Sequence, residues 1–442
     1  MEKYYDVFIK NGELVLPNNK IENLNIGIMD NVISLITSRA DYEAKNIIDA
    51  KNLTIIPGAI DSQVHFREPG ATYKEDLESG SRSAVLGGIT SVFEMPNTSP
   101  PTSTPELLSE KLELAKNRMW TNYAFFGGAT SDNIHLLEEI ENMPGCSGIK
   151  IFMGSSTGNL LVPDDETLTK IFKKSKRRIA IHSEDENRLQ ERKKIIPKNA
   201  DSSFHPKWRD EECAINATRR IIKIIEEIKR PIHILHISTA KEIELIKKHK
   251  KYITAEVTPQ HLTLHDPDCY KELGSLAQMN PPIRDIKNQK GLWKGLHEKT
   301  VDVIGSDHAP HTIEEKSNNY PGSPSGMPGV QTILPIMLNH VSNGKLSIHR
   351  LVELLCYNPA KIYGLKNKGI IKLGYDADLS IIDLNKKTSI NNAQMVSKCG
   401  WTPFHNFKIT GWPVMTIING QIIMKDGKLI GRPSGVPLEF HL

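Results

Sequence analysis

Hydrophobic and polar positions change texture twice along the chain. Up to about residue 56, short alternating segments are separated by turn residues: Tyr5 to Ile9 leads into Lys10-Asn11-Gly12, and Asn25 to Met29, Val32 to Ile36 and Asn46 to Asp49 continue the pattern. A period of two marks half-buried strand, and Asn-Gly between such runs marks a hairpin. From Leu53 the texture becomes apolar strand, polar loop and amphipathic helix, repeated. Strands are expected at Ile55–Ile60, Ser91–Glu94, Tyr123–Phe126, Ile149–Met153, Ile179–Ile181, Ile232–Leu235, Thr254–Val257 and Val301–Ile304. Helical patterns lie between most of them, at Thr104–Lys116, Ile134–Asn142, Glu211–Ile228 and Ala240–Lys250. After about residue 368 the alternating texture returns, with a strand at Leu379 to Ile382 and a hairpin of Val414–Ile418, Asn419-Gly420 and Gln421–Met424.

Near-continuous apolar strands alternating with helices predict a parallel sheet covered on both faces. Eight such units predict a (β/α)8 barrel, with functional side chains gathered at the C-terminal ends of its strands. The two flanks are each too small to bury a core alone, so they are expected to pair into one small β-sandwich. The expected division is residues 1–56 and 369–442 for the sandwich and 57–368 for the barrel.

The strand ends carry the chemistry. Asp61, Gln63 and His65 alternate along the first strand and are expected to share one face, with Arg67 just beyond. The second strand runs into Met95-Pro96-Asn97-Thr98, the fifth into His182-Ser183-Glu184, the sixth into His236-Ile237-Ser238 and the eighth into Ser306-Asp307-His308-Ala309-Pro310-His311. A barrel brings these ends to one mouth. There His65, His182, His236 and Asp307 form a donor set suited to Zn²⁺. Lys150 lies inside the apolar fourth strand, where burial disfavours its charge. A neutral amine there can take up CO2 as a carbamate, an anionic group able to bridge two ions; a buried ion pair with a carboxylate such as Asp307 is the plainer option. Asp307 is placed both to ligate metal and to act as general base on a bound water.

Composition narrows the class. The net charge is +4, and the lysine runs, such as Lys173 to Arg178, lack interleaved aromatics, which points to solvated helix faces and away from nucleic acid. The five cysteines are scattered without a CxxC pair, as expected for buried thiols in a reducing compartment. No apolar run approaches 18 residues and the first residues do not read as a signal peptide, so a soluble cytoplasmic protein without membrane contact is expected.

Taken together, His65-Phe66-Arg67-Glu68-Pro69-Gly70, Met95-Pro96-Asn97-Thr98, Ile181-His182-Ser183-Glu184, His236-Ile237-Ser238, Met279-Asn280-Pro281-Pro282-Ile283-Arg284 and Ser306 to His311 resemble the signatures of the amidohydrolase superfamily and, within it, the long-chain dihydroorotases. The resemblance runs essentially end to end. It implies reversible interconversion of N-carbamoyl-L-aspartate and L-dihydroorotate, the third step of pyrimidine synthesis. It implies that Arg67, Asn97 and His311 clamp the substrate carboxylate, that Asn280 contacts the ring, and that Lys150 is the carboxylated bridging lysine. It leaves open a homodimer and docking to aspartate transcarbamoylase. Two positions depart from the family pattern: Gln63 stands where His-x-His is usual, and Gln260-His261 where many relatives carry adjacent histidines. A glutamine amide is a poor zinc ligand, so one tightly held Zn²⁺ is expected, with the second weak or absent. Gln63 also raises an alternative, a non-catalytic scaffold for aspartate transcarbamoylase, and a sister allantoinase or hydantoinase is a third reading.

Overall fold

The computed structural model describes residues 4–17, 20–155 and 160–441. The polar stretch Ser155-Ser156-Thr157-Gly158-Asn159, which the sequence marks as a loop after the fourth barrel strand, lies outside the described residues except for Ser155.

Two sheets organise the chain. The first holds β1 (Tyr5–Leu16), β2 (Lys20–Met29), β3 (Val32–Thr37), β4 (Ala44–Asp49) and β5 (Thr54–Pro57). The second holds β6 (Ala59–Val64), β7 (Ile89–Glu94), β8 (Asn122–Gly128), β9 (Cys146–Phe152), β10 (Ile179–His182), β11 (Ile232–Ile234), β12 (Ile253–Val257) and β13 (Val303–Ile304). The chain then returns to the first sheet with β14 (Leu379–Ser389), β15 (Lys408–Ile418), β16 (Gln421–Lys425) and β17 (Lys428–Leu429).

β6 to β13 pair in chain order and in parallel, each with the next. The ring closes where the backbone N–H of His65, just past β6, donates to the His308 carbonyl, past β13, at 2.7 Å. This is the eight-stranded barrel that the pattern predicts. Helices cover it, and the one at Glu211–Ile228 shows why they form: Asp210 caps its first turn through the Cys213 N–H, and Ala214, Ala217, Ile221, Ile224 and Ile225 make one buried stripe. Among the described residues no helix is long and apolar enough to cross a membrane.

The flanks share a single nine-stranded sheet, in the order β17-β16-β15-β14-β5-β1-β2-β3 with β4 beside β1. The halves join at β5 and β14, which pair antiparallel with Pro57 opposite Leu379. Ile9, Ile26, Ile28, Ile55, Ile381 and Ile417 form its core.

One expectation needs correcting. The apolar run Ile55–Ile60 is two strands, not one: β5 belongs to the flanking sheet and β6 to the barrel. They part at Gly58, whose N–H donates to the Asp378 carbonyl at 2.7 Å and where a Cβ would come within 2.3 Å of Thr90 Oγ1. Both strands are wholly buried, so the hydrophobic pattern is unbroken across the junction.

Two later segments complete the barrel. Residues 390–409 fold over its mouth, where Trp401 and Phe404 pack with Tyr270, Met279 and Met327, and the Trp401 indole donates to the His311 carbonyl at 2.8 Å. Leu438 and Phe440 join a buried cluster with Ile60, Phe93, Phe126 and Tyr363.

Gly148 sets the spacing between β9 and β10. Its φ is +139°, and a Cβ there would lie 2.2 Å from the Arg178 carbonyl oxygen. Gly148→Ala is therefore expected to cost about 3 kcal/mol or more, from strain and backbone clash together. Urea unfolding of the variant beside the parent checks this.

Candidate active site

A narrow polar cleft opens at the C-terminal ends of the barrel strands. It brings together Gln63, His65, Lys150, His182, His236 and Asp307, residues spread over most of the barrel sequence. Arg67, Asn97, Phe152, Asn280, Ala309, Ser325 and Gly326 complete its wall. Arg67, His236 and Asp307 are held at φ of +63°, +36° and +46°, a backbone region that disfavours side chains. Such strain persists only where the surroundings enforce it, and it concentrates at functional sites.

Two facing pairs dominate the floor. His182, at the end of β10, and His236, two residues past β11, meet edge to face, with Nδ1 of the first 3.1 Å from Nε2 of the second. His182 Nε2 lies 3.0 Å from Glu184 Oε2. Burial alone would raise the Glu184 carboxyl, but Arg209 and His182 outweigh it and hold it well below the ordinary carboxylate range. An ionised Glu184 takes the Nε2–H of His182, which leaves the Nδ1 lone pair turned towards His236. Burial keeps both rings neutral by pushing their pKa values down. His236 Nδ1 is buried without a partner.

The second pair is His65 and Asp307. His65 Nε2 lies 3.2 Å from Asp307 Oδ1, and His65 Nδ1 lies 2.7 Å from Asn97 Oδ1. With the Nδ1 proton on Asn97, a neutral His65 turns a lone pair towards a carboxylate oxygen. Gln63 approaches the same oxygen with its amide nitrogen, at 2.9 Å, and its own Oε1 is buried without a partner. Beside these pairs Lys150 is buried, its ammonium 4.5 Å above the centre of the Phe152 ring. Burial pulls its pKa down to about 7, against the opposing pull of Asp307 and Glu256. Among the described residues that ammonium makes no hydrogen bond or ion pair.

Arg67 supplies the positive wall. Its Nε donates to the Pro310 carbonyl at 3.3 Å. Burial lowers its pKa only to about 10, so it stays charged. Asn280 is held by His205, whose Nε2 lies 2.9 Å from the amide oxygen.

Two residues fall off the expected wall. His311 is buried behind Arg67, with its Nε2 3.3 Å from an Arg67 terminal nitrogen, and borders the cleft only through Arg67 and Ser325. Asp61 does not share the face of Gln63 and His65; it lies below, accepting the Ser306 N–H at 3.0 Å, and burial raises its pKa to about 7. The cause is a register irregularity in β6 between Asp61 and Val64, which breaks simple alternation.

Several supporting groups escaped the sequence reading. Glu184 stands two positions after His182 on a strand end, a spacing that could have marked it as that ring's partner. Arg209, Lys74 and Lys316 carry no comparable local signal, because their partners come from distant loops.

Comparison with known proteins places the chain in a family. The model of the amidohydrolase family matches residues 54–423. The chain is 34% identical to a dihydroorotase of Methanosarcina mazei, over 97% of this chain and 96% of the relative. It is 35% identical to a dihydroorotase of Pyrococcus furiosus, over 96% and 94%. Among solved structures it resembles the L-hydantoinase (dihydropyrimidinase) of Arthrobacter aurescens, with a TM-score of 0.92, 30% identity and coverage of 97% and 98%. The chain thus belongs to the amidohydrolase family, in its dihydroorotase branch, and is a hydrolase acting on cyclic amides.

Proposed function

We propose that the chain interconverts N-carbamoyl-L-aspartate and L-dihydroorotate. The observation that carries this reading is Arg67, a charged guanidinium in the wall of the same cleft as His182, His236 and Asp307. Dihydroorotate bears a carboxylate that takes no part in ring opening, and a guanidinium matches a carboxylate with two parallel hydrogen bonds. Gripping that inert group, with Asn97 beside it and His311 behind, fixes the ring amide against the reacting side chains. Asn280 is in reach of the ring.

The donors on the floor fit Zn²⁺. Two neutral imidazoles whose ring nitrogens meet at 3.1 Å, and an imidazole lone pair facing a carboxylate oxygen at 3.2 Å, are donor pairs that a cation between them would suit. Among the described residues no three His, Cys, Asp or Glu side chains already converge on one point. The His182–His236 pair is one anionic ligand short, and Lys150 carboxylated by CO2 would supply it. His65 and Asp307 would hold a second ion, weakly or not at all, because Gln63 turns its nitrogen to Asp307 where an imidazole could have served. Zn²⁺ bound here would polarise the ring amide carbonyl and make water nucleophilic near neutral pH. Asp307 would take the proton of the attacking water and pass it to the departing ring nitrogen; in ring closure it would take the proton of the ring-forming nitrogen and return it to the departing hydroxide.

Two other readings have a specific observation behind them. The likeness to an L-hydantoinase favours a hydantoinase or allantoinase. Those substrates lack a carboxylate at this position, and Arg67 would then be a buried charge without a partner in the substrate. Gln63 favours a non-catalytic scaffold for aspartate transcarbamoylase, yet a scaffold has no use for three strained residues round a polar cleft. Assay of the purified protein on dihydroorotate, allantoin and hydantoin separates the three.

Arg67→Lys, which loses the two-pronged grip, is expected to lower kcat/KM for dihydroorotate by about a hundredfold, mostly through KM. Steady-state kinetics check this, and an unchanged KM contradicts the assigned carboxylate seat. Protein purified without added zinc is expected to retain about one ion per chain, and two equivalents resisting mild chelation contradict the weak second position. Carboxylation needs the neutral amine, and a Lys150 pKa lowered to about 7 makes that form dominant above neutrality. Carbamate formation from ¹³C-bicarbonate is therefore expected to rise between about pH 6 and pH 8. The ¹³C carbamate signal, assigned by its loss in Lys150→Ala, reports it.

A further inference from the structure

Behind Arg67, one cation has no role yet. The Lys74 ammonium lies 3.1 Å from His311 Nδ1 and 2.9 Å from Glu315 Oε1. An ammonium can only donate, so His311 Nδ1 must accept and cannot carry a proton. On the far side of the ring, His311 Nε2 lies 3.1 Å from the Ser325 carbonyl oxygen, which can only accept. Both neighbours require the same tautomer, with the proton on Nε2.

The opposite tautomer has two contacts in its favour. Arg67 could donate to Nε2 at 3.3 Å, and Glu315 Oε2 lies 3.5 Å from Nδ1. It would also press two N–H groups together at Lys74 and two lone pairs together at Ser325, both at the shorter 3.1 Å. The nearer contacts decide for Nε2–H. A doubly protonated ring is disfavoured by burial and by Arg67, Lys74 and Lys316, which together push the His311 pKa far down.

We propose that Lys74 is the positioning residue that fixes His311 as its Nε2–H tautomer, so that the imidazole offers an anionic substrate group a second donor beside Arg67. That the group is the dihydroorotate carboxylate rests on the function proposed above; the tautomer assignment does not. In the unliganded site the Nε2 proton rests on the Ser325 carbonyl, and an anion seated at Arg67 competes for it. Glu315 makes the arrangement a switch. It is tied in place by the Tyr73 hydroxyl at 2.7 Å as well as by Lys74. Without Lys74, Glu315 alone faces Nδ1, and the ring takes the Nδ1–H form. Its Nε2 lone pair then points at the anion and repels it.

The test is ¹⁵N NMR of the purified protein labelled at histidine nitrogens, with the His311 signals assigned by their loss in His311→Gln. The parent is expected to show the Nε2–H pattern, Lys74→Met the Nδ1–H pattern, and Lys74→Arg, which keeps a donor, the parental one. Glu315→Gln is expected to keep Nε2–H, and serves if Lys74→Met does not fold. An Nδ1–H pattern in the parent, an unchanged pattern in Lys74→Met, or a switched one in Glu315→Gln overturns the proposal. Kinetics supply the second arm: Lys74→Met is expected to raise KM for dihydroorotate about tenfold, the worth of one hydrogen bond to a charged group, with little change in kcat. Lys74→Arg should recover most of it. If the parent leaves dihydroorotate untouched while the NMR patterns hold, the substrate assignment fails and the role of Lys74 stands.

Discussion

The structure depends on the closure of the barrel between its first and last strands. One backbone hydrogen bond, from His65 to the His308 carbonyl, marks the seam. Its consequence is chemical as well as architectural. It sets His65 and Gln63 against Asp307, more than 240 positions away in the chain, with distances of 3.2 and 2.9 Å to one carboxylate oxygen. Asp61, Ser306 and Ser62 reinforce the seam from below, through the Ser306 N–H on Asp61 and the Ser62 hydroxyl on Glu256. An open sheet of the same strands would leave each of these groups at its own edge, without a shared site.

Burial of charge is the second constraint, and three lysines in the barrel meet it differently. Lys111 is paired with Glu94, whose other oxygen takes the Phe66 N–H at 3.2 Å, so the pair braces the loop that carries His65 and Arg67. Lys316 has no carboxylate partner among the described residues; its ammonium is held by the carbonyls of Gln278, Pro324 and Gly326 at 2.9 to 3.1 Å, which pins the Ser325–Gly326 wall of the cleft. Lys150 has neither device among the described residues. A buried amine left without acceptors is costly as a cation. The surroundings of Lys150 favour the neutral amine.

Much of this could be read from the chain alone, for identifiable reasons. Barrel strands are buried on both faces and read as apolar runs, so all eight were visible, and residues at their ends inherit a common location from the topology. That is why His65, Lys150, His182, His236 and Asp307 fall into one group on the sequence alone. What escaped was set by local irregularity or by long-range contact. The bulge in β6 moved Asp61 off its expected face, and the change of sheet at Gly58 left no mark in an unbroken apolar run. The position of His311 behind Arg67, and the parts played by Lys74, Arg209 and Lys316, arise from loops whose mutual packing has no periodicity to betray it.

The shared flanking sheet has a bearing on how the chain is made. β5 has its β1 neighbour close by in the sequence, but the partner of its other edge, along Ile55 and Ile56, is Leu379 to Ile382, more than 300 positions later. For most of translation a nascent chain therefore carries an open, apolar strand edge beside an unfinished barrel, the kind of surface that invites intermolecular pairing. Joining the two ends of the sequence in one sheet stabilises the finished molecule, and it makes the nascent one depend on shielding until the second flank arrives.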